Sequence, residues 1–186
     1  MSAAKSVAKP QGQAIDITEI EGVLSVQSFT ALIKWLYWHR VELSKPGSEP
    51  SDQQIAAAIE LARLAEMCGI LDGLDAEMAE YIKNVLDEAF YPQQPHTHNV
   101  TEGHIVAAGY LPEGHAVRRM LAAAAVRGFL LREGENVERW AREYPTFGAE
   151  LLLEVRHVLD SLSVENYCVV AEDPITGEGM TLLCTI

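Results

Sequence analysis

The sequence has no apolar run of 18 residues, and its opening Met1-Ser-Ala-Ala-Lys-Ser6 lacks the apolar core of a signal peptide. Neither a membrane-spanning helix nor a secretory leader is expected. Cysteine is scarce: Cys68, Cys168 and Cys184 are too few and too scattered for a disulfide framework or a zinc site. That usage suits a reducing compartment, so Cys168 and Cys184, which could face each other across a hairpin, are expected as two buried thiols. Positive charge is short as well, with 14 Lys and Arg against 27 Asp and Glu, a net charge of −13. A surface that acidic repels phosphate backbones and anionic lipid, which argues against nucleic acid and membrane partners. There is no glycine-rich phosphate loop, nucleophile elbow or HExxH, so catalysis and cofactors are not expected. The expected location is intracellular, in cytoplasm, nucleus or both.

Apolar content is ample. Of 186 residues, 48% are hydrophobic, enough to bury a core and to exclude wholesale disorder. Residues 1–13 are small and polar and read as a tail. Ala14-Ile-Asp-Ile-Thr-Glu-Ile20 alternates and predicts a short half-buried strand. In Ser25–Leu43, Phe29, Leu32, Ile33, Leu36 and Tyr37 recur at helical spacing, with Ser25 as the expected N-cap, and Val41-Glu-Leu43 then alternates like a strand. After the Lys45–Pro50 loop, Ser51-Asp-Gln-Gln54 reads as a capping box. The helix behind it carries Ile55, Ala58, Ile59, Leu61, Ala62, Leu64 and Ala65, an apolar arc too wide for one buried side, and Gly69 is a left-handed stop. Asp72 can cap a third helix whose buried face is Leu74, Met78, Tyr81, Ile82, Val85 and Leu86.

Tyr91–His98 is a linker by composition, within a boundary segment 91–100. Thr101 is expected to cap a short helix to about Tyr110. Ala116–Leu131 predicts a strong helix with Val117, Met120, Leu121, Ala124 and Ala125 inward and Arg118, Arg119 and Arg127 outward. Val137–Tyr144 reads as another turn or two stopped by Pro145. Phe147, Leu151, Val155, Val158, Leu159 and Leu162 mark a last helix, and residues 166–186 frame a Pro/Gly loop with two apolar segments, a hairpin pattern.

Two blocks in this order resemble the second half of a BTB/POZ domain, a protein-interaction fold. The first is S-x-x-x-F-x-x-L-I-x-W-L-Y-x-x-x-V-x-L from Ser25, and the second is L-A-R-L-A-E-M-C-G-I-L-D-G-L over 61–74. H-A-V-R-R-M-L followed by Y-P-T-F-G-A-E-L-L-L-E-V is similar to a helical extension that follows BTB domains in many filamentous-fungal proteins. The resemblance implies a mainly α fold: a BTB/POZ-like half-domain with short strands over 14–90, then a helical extension over 101–165. The hairpin and two helices that open a full BTB domain, and carry most of its dimer surface, have no counterpart in the 14 residues before Ile15.

What the resemblance implies about function is a non-catalytic interaction module, an adaptor or scaffold related to transcription or ubiquitin ligation. Its first half would normally cover the helix of the first block. Phe29, Leu32, Trp35, Leu36 and Trp38 are therefore the candidate partner contacts, since leaving large apolar side chains exposed costs roughly 1.5–3 kcal/mol each. A homodimer through a surface other than the usual BTB one is expected. A cullin-type scaffold is the other partner the family suggests, but the hydrophobic-x-Glu triplet that usually assists it is missing from Ser6–Gln13. The competing reading is a small helical ligand- or metal-binding domain, or an enzyme, using His96, His98 and His104. His-x-His on a Pro-rich linker without a carboxylate or cysteine at ligand spacing reads more simply as a solvated turn.

Overall fold

The computed structural model describes residues 25–43, 50–70, 73–88, 100–132 and 136–184. The expected strand at 14–20, the Asp72 cap and the linker histidines His96 and His98 lie outside them.

The fold is mainly helical, with a small antiparallel sheet at its C-terminal end. Helix α1 (Val26–Trp38) is opened by Ser25, whose Oγ accepts from the Ser28 N–H while Ser28 Oγ accepts from the Ser25 N–H. Helix α2 (Ser51–Met67) corrects the expected capping box. Pro50 already holds the extended, non-helical position, so Ser51 is the first helical residue and Gln54 turns inward toward the Tyr81 hydroxyl. At its other end Gly69 takes φ +69°, and the Gly69 and Ile70 N–H groups return to the carbonyls of Glu66 and Ala65, closing the helix as a Schellman turn.

Helix α3 (Leu74–Glu88) lies against α2 and buries Leu74, Met78, Ile82, Val85 and Leu86; Tyr81 is only partly buried. Helix α4 (Glu102–Ala108) is capped by Thr101 as expected. Helix α5 (Ala116–Leu131) is the hub, packed against α3, α4, α7, the short helix α6 (Val137–Glu143) and the sheet. Ala122–Val126 is buried without a break, because a run of small side chains admits neighbours on several sides. Arg118 does not point outward. It is buried against Glu150 of helix α7 (Pro145–Asp160), since at this position α5 has no solvent-facing side. Arg119 is half-exposed beside Glu154, and Arg127 reaches Asp173.

Pro145 stops α6 and, as the first residue of α7, also starts the next helix, where its missing N–H costs nothing. Phe147, Leu151, Val155 and Val158 of α7 face the core, while Leu159 and Leu162 are exposed. The chain ends in a three-stranded meander, β1 (Ser163–Glu165), β2 (Cys168–Glu172) and β3 (Gly179–Cys184), in that order. The β2–β3 hairpin matches the sequence pattern; β1 was not legible, since its only apolar residue is Val164. Asp173 shapes the hairpin turn by accepting the Ile175 and Thr176 N–H groups. Cys168 and Cys184 are paired directly across β2 and β3 and form a disulfide, which corrects the expectation of two thiols.

One core runs through the molecule, from Leu32 and Trp35 through α2, α3 and α5 to Met180 on β3. No helix of the described residues is long and apolar enough to cross a membrane.

Candidate functional site

The candidate contacts on α1 divide between two faces. Ser28, Ala31, Leu32 and Trp35 turn into the core. Trp35 is held there by donating its indole N–H to Glu77 Oε2 at 2.8 Å, and the same carboxylate accepts the Val41 N–H at 3.3 Å. Ser28 Oγ donates to Glu60 Oε1, and Gln27 donates to the Leu43 carbonyl. The Glu77 and Gln27 contacts hold Val41–Leu43, where the expected strand does not form; among the described residues no strand pairs with it. Leu32 and Trp35 are thus spent on packing, which corrects their place among the partner contacts.

Phe29, Leu36 and Trp38 remain on the surface. Phe29 and Leu36 are 36% and 45% exposed. With 3.6 residues per turn, Val26, Phe29, Ile33, Leu36 and Tyr37 fall within an arc of roughly 100° opposite the core face. All five are at least about a third exposed, and Tyr37 and Trp38 are exposed much further. The helix is therefore apolar on both sides. From Ser25 to Val41 the chain carries no carboxylate, only Lys34 and Arg40, although it is strongly acidic as a whole.

A second feature lies at the far end, where α4, α5 and α7 leave a cleft of about 270 Å³. Its walls are mostly apolar, from Ile105, Val106, Leu121 and Phe147, with Tyr110 and Tyr144 also lining it. Arg118 and Glu150 line it as a buried pair. Arg118 Nε donates to Glu150 Oε2 at 3.2 Å, Nη2 approaches Oε1 at 3.0 Å, and Nη1 donates to the Leu111 carbonyl at 2.9 Å. The Gly114 N–H also reaches Glu150 Oε1. Above the cleft, Glu102 accepts from the Tyr144 hydroxyl at 2.8 Å and meets Arg139 at 2.9 Å. The Tyr144 hydrogen bond, with help from Arg139, holds the Glu102 carboxyl below its usual range, and the same hydrogen bond raises the Tyr144 phenol.

His104 does not line this cleft. It is buried beneath its own helix start, where Nδ1 accepts the Thr101 N–H at 3.2 Å and Nε2 lies 2.9 Å from the Asp52 carbonyl. Burial lowers its pKa, outweighing the opposite pull of the Asp52 carbonyl. Its ring nitrogens are thus both engaged with backbone. Glu154 and His157, at i and i+3 on α7, stand 3.4 Å apart, one to two turns beyond Glu150 on the same face, and neither lines the cleft. Among the described residues no three His, Cys, Asp or Glu side chains gather as a metal-binding group would.

The cleft was not legible in the sequence. Its one signal, Arg118 seven residues beyond Leu111 on a helix of small apolar residues, reads equally as surface charge. No family model, curated protein or solved structure matches the chain.

Proposed function

We propose that this protein is a non-catalytic interaction module of BTB/POZ-like type, and that it associates with a second copy of itself through the outer face of α1. The observation that carries the reading is a helix apolar on both sides, one buried and one open. Helices of that character are normally buried all round. Self-association is favoured over other occupants by charge. Two copies of so acidic a chain repel each other nearly everywhere, but the carboxylate-free stretch 25–41 can approach its own copy at little electrostatic cost. A two-fold arrangement lets the same stripe cover itself.

The face is small. A 13-residue helix is about 20 Å long, and a strip of that length falls short of the ~800 Å² per partner typical of a stable interface. The dimer should therefore be concentration-dependent. The competing ligand-binding or enzymatic reading through His96–His104 is weakened by His104, whose two nitrogens are already committed.

The test is light scattering across a concentration series, with Ile33→Glu as the variant. Wild type should move from monomer to dimer mass, and the variant should stay monomeric with unchanged circular dichroism. A wild type that remains monomeric at the highest soluble concentration, or a variant that still dimerises, would overturn the proposal.

A further inference from the structure

We propose that the cleft between α4, α5 and α7 is a binding site for a small neutral ligand: one aromatic or branched aliphatic body carrying a carbonyl or hydroxyl oxygen. The inference is independent of the α1 face.

Size sets the scale. An apolar cavity of about 150 Å³ holds benzene, and drug-sized pockets begin near 300 Å³. A cleft of about 270 Å³ fits a single ring with a short substituent. Its apolar walls favour a body that gains from leaving water.

Arg118 sets the polar requirement. A guanidinium has five N–H donors. Three are taken by Glu150 and the Leu111 carbonyl, which leaves one on each Nη. The side chain is only 6% exposed and lines the cleft, so an oxygen entering the cleft can accept from the remaining donors. Glu150, 5% exposed, already balances the charge and is itself held by the Gly114 N–H. The donors are therefore fixed in place before any ligand arrives, which lowers the ordering cost of binding.

Neutrality of the ligand follows from that pairing. Within the buried lining an added anion would sit beside Glu150 and an added cation beside Arg118, while the charge of the exposed Glu143 is screened by water. A neutral oxygen takes the hydrogen bonds without an unpaired buried charge.

The experiment uses one ring with three head groups on the full chain: phenylacetamide, phenylacetate and phenethylammonium, followed by amide NMR. Phenylacetamide should give saturable shifts confined to 105–111, 117–121 and 144–150, with affinity at least tenfold above either charged probe. Val106→Trp, at the half-exposed rim, should reduce binding at least tenfold without moving the thermal melt. Arg118→Met/Glu150→Leu, which removes both charges together, should abolish the preference for phenylacetamide over ethylbenzene. Absence of saturable shifts, shifts outside the cleft, equal or tighter binding of a charged probe, or an amide preference surviving the double variant would each overturn the proposal.

Discussion

Single residues carry more of this structure than composition suggests, and His104 is the clearest case. Because the Thr101 N–H donates to Nδ1, that nitrogen must be unprotonated, and Nε2–H is the donor to the Asp52 carbonyl. The folded site holds the neutral ring in one tautomer. Burial lowers the pKa of His104 and, independently, that of His115 from the ordinary 6.5. An unfolded histidine takes up its proton first as pH falls, so the stability these two contribute is intact above about 6.5 and is lost below it, down to the folded values. Protonating the many carboxylates acts on the same scale, so a difference measurement is needed. His104→Gln/His115→Gln should show a flatter dependence of urea midpoint on pH between 7.5 and 5 than wild type. Parallel curves would refute the assignment. Thr101 was legible as the cap, whereas the part His104 plays in it and its buried contact with Asp52, 52 residues earlier, left no local trace.

At the scale of elements, helical periodicity located most helices but did not decide which face of α1 is inside. The apolar residues of that helix outnumber the positions one face can hold, so the pattern alone could not choose between Leu36 and Trp35. Partners decide it: Trp35 has a carboxylate for its indole N–H, and Leu36 does not face the core. Trp35→Ala should cost about 3–5 kcal/mol, the range for emptying a buried large aromatic site. Leu36→Ala should cost under ~1 kcal/mol in dilute monomer. Chemical denaturation of both variants checks the pair, and equal losses would contradict the facing described here. A second test concerns the α6–α7 corner. A Cβ at Gly148 would lie 2.5 Å from the Ala141 carbonyl oxygen, so these helices cross closely because residue 148 has no side chain. Gly148→Ala should destabilise by about 1–3 kcal/mol despite its better helix propensity. A neutral or stabilising result by denaturant midpoint would show that the corner yields without strain.

For the molecule as a whole, helical content and the closing hairpin were readable because they rest on local periodicity. The hub role of α5 was not, because Ala-rich helices give no sign of how many neighbours they admit. The disulfide was misread for a related reason. Cysteine count reports on a compartment, whereas strand register decides whether two cysteines meet, and Cys168 and Cys184 are direct partners in the ladder. A cross-link spanning 16 residues should contribute about 3 kcal/mol, chiefly by restricting the unfolded chain. Cys168→Ala/Cys184→Ala should lose about 2–4 kcal/mol, with faster amide exchange in β2 and β3 than in α5. Unchanged exchange in those strands would show that the sheet does not depend on the bond.

That bond also governs what happens if the backbone is cut. The turn Asp173–Glu178 lies inside the closed ring, and a protease nick there would leave the piece that carries β3 tethered through Cys184. Met180, which seals the lower end of the core, would stay in place on a chain no longer continuous. Such a nicked molecule would run as intact on a non-reducing gel, and separate into two bands only after a thiol is added.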